Sequence, residues 1–104
     1  MDNKEKIQEL KRLFKELLSN VERYGDNTVI NQESIIRHIL KIIDSSDIVN
    51  YESEVADIQR EYQKLYPARG GLSEFYIWRD DFAERQVVNE PLSEIRKRLW
   101  ELLK

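Results

Sequence analysis

The sequence predicts an all-α fold, an antiparallel bundle of four to five helices, with a short extended segment possible only at 74–79. Two observations carry this prediction. Apolar residues recur at steps of three and four over most of the chain, the spacing of one helical face. Breakers are scarce, with three glycines and two prolines in 104 residues, too few for a turn-rich all-β fold.

The first element is a helix over about 3–24. Ile7, Leu10, Leu13, Phe14, Leu17, Leu18, Val21 and Tyr24 share a face. Asp2 is the expected N-cap, with Glu5 three residues on as capping-box partner. Gly25 is expected to end the helix in the left-handed conformation. Arg12 and Glu16 are spaced for an ion pair on the wet side.

The second helix is expected over about 31–44, capped by Asn31. Ile35, Ile36, Ile39, Leu40, Ile42 and Ile43 form an arc broader than that of the first helix. This breadth predicts the most buried helix of the set. Ser45, Ser46 and Asp47 make a polar break with capping chemistry.

A third helix is expected over about 47–66. Its seam is Ile48, Tyr51, Val55, Ile58, Tyr62 and Leu65, in heptad alternation. The seam is shorter than three heptads, which suits a bundle contact better than a free coiled coil. Pro67 disfavours helix in the residue before it. Pro67 to Ser73 reads as a loop punctuated by Gly70 and Gly71.

Glu74 to Arg79 (EFYIWR) has four consecutive bulky residues, which fit either a short strand or a short buried helix. Asp80 or Asp81 then opens a helix to about Asn89. Pro91 fits the first position of a separate last helix, with Leu92, Ile95, Leu99, Leu102 and Leu103 on its stripe, Trp100 beside it, and Glu94 paired with Arg98. The expected core is Leu10, Leu13, Leu17, Ile36, Ile39, Leu40, Ile43, Val55, Ile58, Leu65, Ile95 and Leu99. The length suits one domain spanning 1–104.

Composition narrows the function classes. The absence of cysteine excludes disulfides and thiolate-ligated metals and favours a reducing cytoplasmic setting. The N-terminus is charged and has no apolar signal-peptide core. No stretch reaches the roughly 20 apolar residues of a membrane span. A net charge of −3 and a pI near 5.3 argue against nucleic acid, which selects a basic face, and suit a protein partner.

Catalytic constellations are not evident. His38 is the sole histidine, and a lone helical histidine without oriented partners reads as a surface residue. Asp80, Asp81 and Glu84 are spaced to approach a divalent cation, but acids there also cap a helix and complement its positive end. Arg79 and Arg85 flank them and repel a cation. Arg69-Gly70-Gly71 lacks the lysine and strand of a phosphate loop. No cofactor is expected, and no residue is assigned a catalytic or metal-binding role.

Of ten aromatic residues, eight lie beyond residue 50. Phe75, Phe82 and Trp100 are expected in the core. Tyr66, Tyr76 and Trp78 cannot all point one way, and with Arg69 and Arg79 they supply the Tyr, Trp and Arg composition of interface hot spots. Tyr66, Arg69, Tyr76, Trp78 and Arg79 are therefore the candidate partner-binding residues. The expected function is a non-enzymatic protein-binding module. The alternatives are a homo-oligomer assembled through the third-helix seam and a small metal-dependent enzyme using Asp80, Asp81 and Glu84.

The string from Tyr66 to Trp78 (YPARGGLSEFYIW), followed by Asn89-Glu90-Pro91-Leu92 and Leu99-Trp100, resembles a small bacterial family of uncharacterised helical proteins. Similar small acidic proteins include immunity proteins that bind toxin domains. The resemblance implies a bacterial cytosolic binding protein, of which an immunity-type inhibitor of a toxin domain is one form. It carries no functional residue across.

Overall fold

The computed structural model describes residues 2–25, 27–45, 51–66, 72 and 75–103. Helix α1 spans Asn3–Tyr24, α2 Ile30–Asp44, α3 Tyr51–Gln63 and α4 Phe82–Leu103. A 3₁₀ turn at Asn27–Val29 leads into α2. No strand occurs among the described residues, and the architecture is the all-α bundle that the periodicity predicts.

α1 begins as its cap predicts, with Asp2 Oδ1 accepting the Glu5 N–H at 2.8 Å. It ends differently. Gly25 is extended (φ −77°, ψ 160°) and donates its N–H to Val21 O. Glycine is needed here for space rather than for a left-handed turn. A Cβ at this position would collide with Val21 O and come within 2.5 Å of Val29 Cγ2. Because the chain passes so tightly, Val29 is buried and α2 starts at Ile30. Asn31 is therefore inside the helix and not its cap, and Val29 at the N-cap offers no side-chain bond.

The broad arc of α2 is only half submerged. Ile36, Ile39 and Ile43 are buried, while Ile35, Leu40 and Ile42 pack partly exposed against the core. Leu40 is the one expected core residue that stays at the boundary. α1 buries five apolar side chains, Leu10, Leu13, Phe14, Leu17 and Val21. It packs against both α2 and α4, while α2 packs against α1 and α3. Lys11 pairs with Asp44 at 2.8 Å and Glu22 with Arg37 at 3.0 Å, which makes α1 and α2 antiparallel. Arg98 grips Glu9 in a two-pronged pair, Nε to Oε1 at 2.7 Å and Nη2 to Oε2 at 3.1 Å. The expected pairing of Arg98 with Glu94 gives way to it. A planar fork fits a carboxylate on a neighbouring helix better than one on its own helix. Arg12 and Glu16 pair as expected, at 2.9 Å.

The seam of α3 turns inward. Val55, Ile58, Tyr62 and Leu65 are all buried. The helix stops at Gln63, short of the predicted end, and Lys64, Leu65 and Tyr66 each donate to the carbonyl three residues back, a tightened terminal turn. The predicted positions 46–50, 67–71, 73 and 74 lie outside the described residues.

The two helices expected on either side of Pro91 are one continuous α4. Pro91 has no N–H to give the Val87 carbonyl four residues back. Val87 is exposed, so that carbonyl sits at a wet surface, and the helix runs on. Leu92, Ile95, Leu99 and Leu103 are buried along its second half. Its first turns, 82–88, contain no buried residue.

Candidate functional site

Ahead of α4 the chain at 75–79 is neither helix nor strand. Its burial alternates: Phe75 and Ile77 are buried, Tyr76 and Trp78 exposed. One side chain holds it in place. Asn89, itself buried on α4, accepts the Ile77 N–H at 2.9 Å and donates to the Ile77 carbonyl at 2.7 Å. Its second amide proton goes to Arg85 O at 2.8 Å. The amide thus does for Ile77 what a neighbouring strand would do, satisfying both backbone groups.

With Phe75 and Ile77 anchored inward, Trp78 is forced out. It is 62% exposed, and its indole Nε1 donates to Asp80 Oδ1 at 3.2 Å. The Arg85 guanidinium lies 3.9 Å from the Trp78 ring centroid and 5.9 Å from that of Phe82, in cation–π geometry. Arg85 Nε also donates to Arg79 O at 2.9 Å, which ties the segment to the first turn of α4. Arg79 donates to Trp78 O at 2.8 Å and stands over Tyr24, at the end of α1. Asp81 caps α4, with Oδ1 accepting the Glu84 N–H at 3.1 Å.

This end of the molecule gathers exposed apolar surface. Phe82 and Val87 are 65% and 69% exposed, Tyr76 is 51% exposed, and Ile30 protrudes at the adjoining start of α2. Between Arg79, Ala83, Glu84, Val87 and Val88 lies a shallow depression of 390 Å³.

The structure therefore brings together three of the five candidate residues, Tyr76, Trp78 and Arg79. Arg69 lies outside the described residues. Tyr66 is elsewhere, half-buried in a groove lined by Tyr62, Gln63, Leu72, Arg96, Lys97 and Trp100, of 680 Å³. There the Tyr62 and Tyr66 rings meet edge to face at 5.5 Å. Burial pushes the Tyr62 hydroxyl well above its ordinary value, helped by the neighbouring Tyr66. Burial also raises Tyr66, partly opposed by the Arg96 charge, and lowers Arg96.

Sequence reading missed Phe82, Arg85, Val87 and Asn89, and placed Phe82 and Trp100 in the core, whereas both are largely exposed. The signal was present. At about 100° per residue, Phe82 and Trp100 each fall about 100° from Leu99 around one continuous helix. Breaking the helix at Pro91 discards that relation for Phe82 alone; Trp100 keeps its phase, one residue past Leu99, within the expected last helix.

Asp80, Asp81 and Glu84 do not converge. Asp80 faces Trp78, Asp81 caps its own helix, and among the described residues no three His, Asp or Glu side chains are grouped to hold a metal ion. His38 is exposed on α2 beside Ser34, Arg37 and Lys41. Among the described residues no helix is long and apolar enough to cross a membrane. No family model, curated protein or solved structure matches the chain, so a functional reading rests on this surface and its chemistry alone.

Proposed function

We propose that the chain is a non-enzymatic protein-binding module, acting in the cytoplasm, that docks through the surface built from Tyr76, Trp78, Phe82, Arg85 and Val87. One observation carries the reading. Of the six large apolar side chains exposed among the described residues, five sit at this end: Ile30, Tyr76, Trp78, Phe82 and Val87. Exposed apolar clusters rimmed by charge are the signature of docking surfaces, and Trp, Tyr and Arg are the residues that dominate binding energy there. A toxin domain bound by an immunity-type inhibitor is the version of this reading that the resemblance of the C-terminal stretch suggests. Assembly through the α3 seam is less well supported, because Val55, Ile58, Tyr62 and Leu65 are already buried within the chain.

The test uses the immobilised protein and its Trp78→Ala and Phe82→Ala variants against a lysate of the native host. A partner retained by the parent is then titrated against all three. Each substitution is expected to weaken binding by roughly 30-fold, the scale of a hot-spot residue, with unfolding midpoints unchanged. Affinity of both variants for the partner equal to that of the parent would sink the reading.

A further inference from the structure

The groove between the end of α3 and the last turns of α4 is a separate place on the molecule. Trp100 is thirteen residues beyond Val87, roughly 20 Å along the α4 axis. Three properties of this groove bear on what fits it. Its walls are largely aromatic and apolar, from Tyr62, Tyr66, Leu72 and Trp100. Its 680 Å³ falls in the range of small-molecule sites, about 300–1,000 Å³. Its two cations, Arg96 and Lys97, face no carboxylate among the described residues.

The third property is the most informative. Arg12, Arg37, Arg60 and Arg98 each have a carboxylate within reach, at 2.9, 2.9, 3.4 and 2.7 Å, while Arg23, Arg79 and Arg85 lie over aromatic rings near the surface. Arg96 and Lys97 have no such partner among the described residues. Arg96 donates from Nη2 to Leu72 O and to Phe75 O, the latter at 2.7 Å, and its Nε is buried with no acceptor. Arg96 is half-buried, and two carbonyl dipoles and the Phe75 ring answer its charge only in part, which leaves it suited to an anion beside it. Lys97 stands exposed next to it on the rim.

We infer that this groove binds a small amphiphilic carboxylate, its aromatic or branched aliphatic body against Tyr66, Leu72 and Trp100 and its carboxylate beside Arg96 and Lys97. The apolar walls supply affinity, and the paired cations select the anion over its neutral analogue. This site is independent of the docking surface at Trp78.

The experiment is a calorimetric titration of the full chain with 3-phenylpropionate and with the neutral 3-phenylpropanamide, accompanied by backbone amide shift mapping. Saturable binding of the carboxylate is expected, with shifts centred on residues 62–66 and 96–100. The amide should bind about tenfold more weakly, the scale of one lost charge-assisted bond. Lys97→Glu, on the exposed rim, should weaken the carboxylate by a similar factor without altering the unfolding midpoint, and Trp78→Ala should leave binding unchanged. Equal binding of acid and amide, shifts centred elsewhere, or no saturation by about 10 mM, weaker than a millimolar fragment, each overturns the assignment. So does a tripeptide ending in phenylalanine that binds far more tightly than N-acetylphenylalanine, since that would make the occupant a chain terminus.

Discussion

Asn89 is the residue on which the proposed docking surface depends. Its amide closes both backbone groups of Ile77 in a buried place, and among the described residues no other residue of α4 presents both a donor and an acceptor to that segment. Asn89→Leu keeps the volume but leaves a buried N–H and a buried carbonyl without partners. The expected loss is about 2–4 kcal/mol, one desolvation penalty for each group, read from the urea midpoint. Hydrogen exchange at the Ile77 amide should rise in parallel. Unchanged stability with Ile77 still protected would show that the segment is held by Phe75 and Ile77 packing alone. Sequence reading had no means of finding this residue. A single Asn in a helix looks like a poor helix former, and its partner is twelve positions away in a stretch without periodicity.

At the scale of elements, α4 shows where local rules and tertiary packing part. Its second half has the stripe Leu92, Ile95, Leu99 and Leu103 buried against α1 and its neighbours, and that burial outweighs the proline inside it. Pro91→Ala restores the donor toward Val87 O and removes the ring clash. It is expected to raise stability by about 1–3 kcal/mol, up to the full proline penalty in a helix interior, with helical circular dichroism unchanged or higher. A loss of stability would mean instead that the core requires the bend proline imposes. α1 and α2 were legible because their stripes are unbroken and their signals local. The end of α1 was misread for the opposite reason. Gly25 is required by Val21 O and Val29, a close approach that no local pattern announces. Phe82 was misplaced because a break at Pro91 hides its phase against the buried stripe of α4, and Trp100 because its bulk was weighed above its position one residue past Leu99.

Over the whole molecule, the fold was readable because the core follows the periodic residues: every expected core position except Leu40, Phe82 and Trp100 is buried. The candidate site was readable in composition but not in grouping, since Tyr66 and Trp78 belong to different surfaces. Global stability should also report the ion pairs that clasp α1 to its neighbours. Arg98 holds Glu9 below its ordinary 4.5, through its hydrogen bond first and its charge second, and Lys11 holds Asp44 below 3.8 in the same way. A depressed carboxylate binds fewer protons folded than unfolded, so its contribution is fully present above pH 4.5 and is lost as the pH falls through the native values. The urea midpoint is therefore expected to drop below about pH 4.5, and Glu9→Gln to flatten that slope. The same slope in Glu9→Gln and parent would remove Glu9 from the account. At the alkaline end the sign reverses: Tyr62 is raised above 10.0, so the folded state keeps a proton that the unfolded chain releases, and stability declines as the pH climbs past 10.

The alternation at 75–79 separates two tasks within a handful of residues. Phe75 and Ile77, with Asn89 behind them, attend to folding. Tyr76 and Trp78 attend to the outside, and their replacement costs the core nothing. In the proposed docking role, a lineage bearing this arrangement is free to retarget: drift at the outward positions changes which surface is met, while the inward ones keep the scaffold constant. Such a strap is a small library site, a place where new specificities can be sampled without first re-solving the problem of folding.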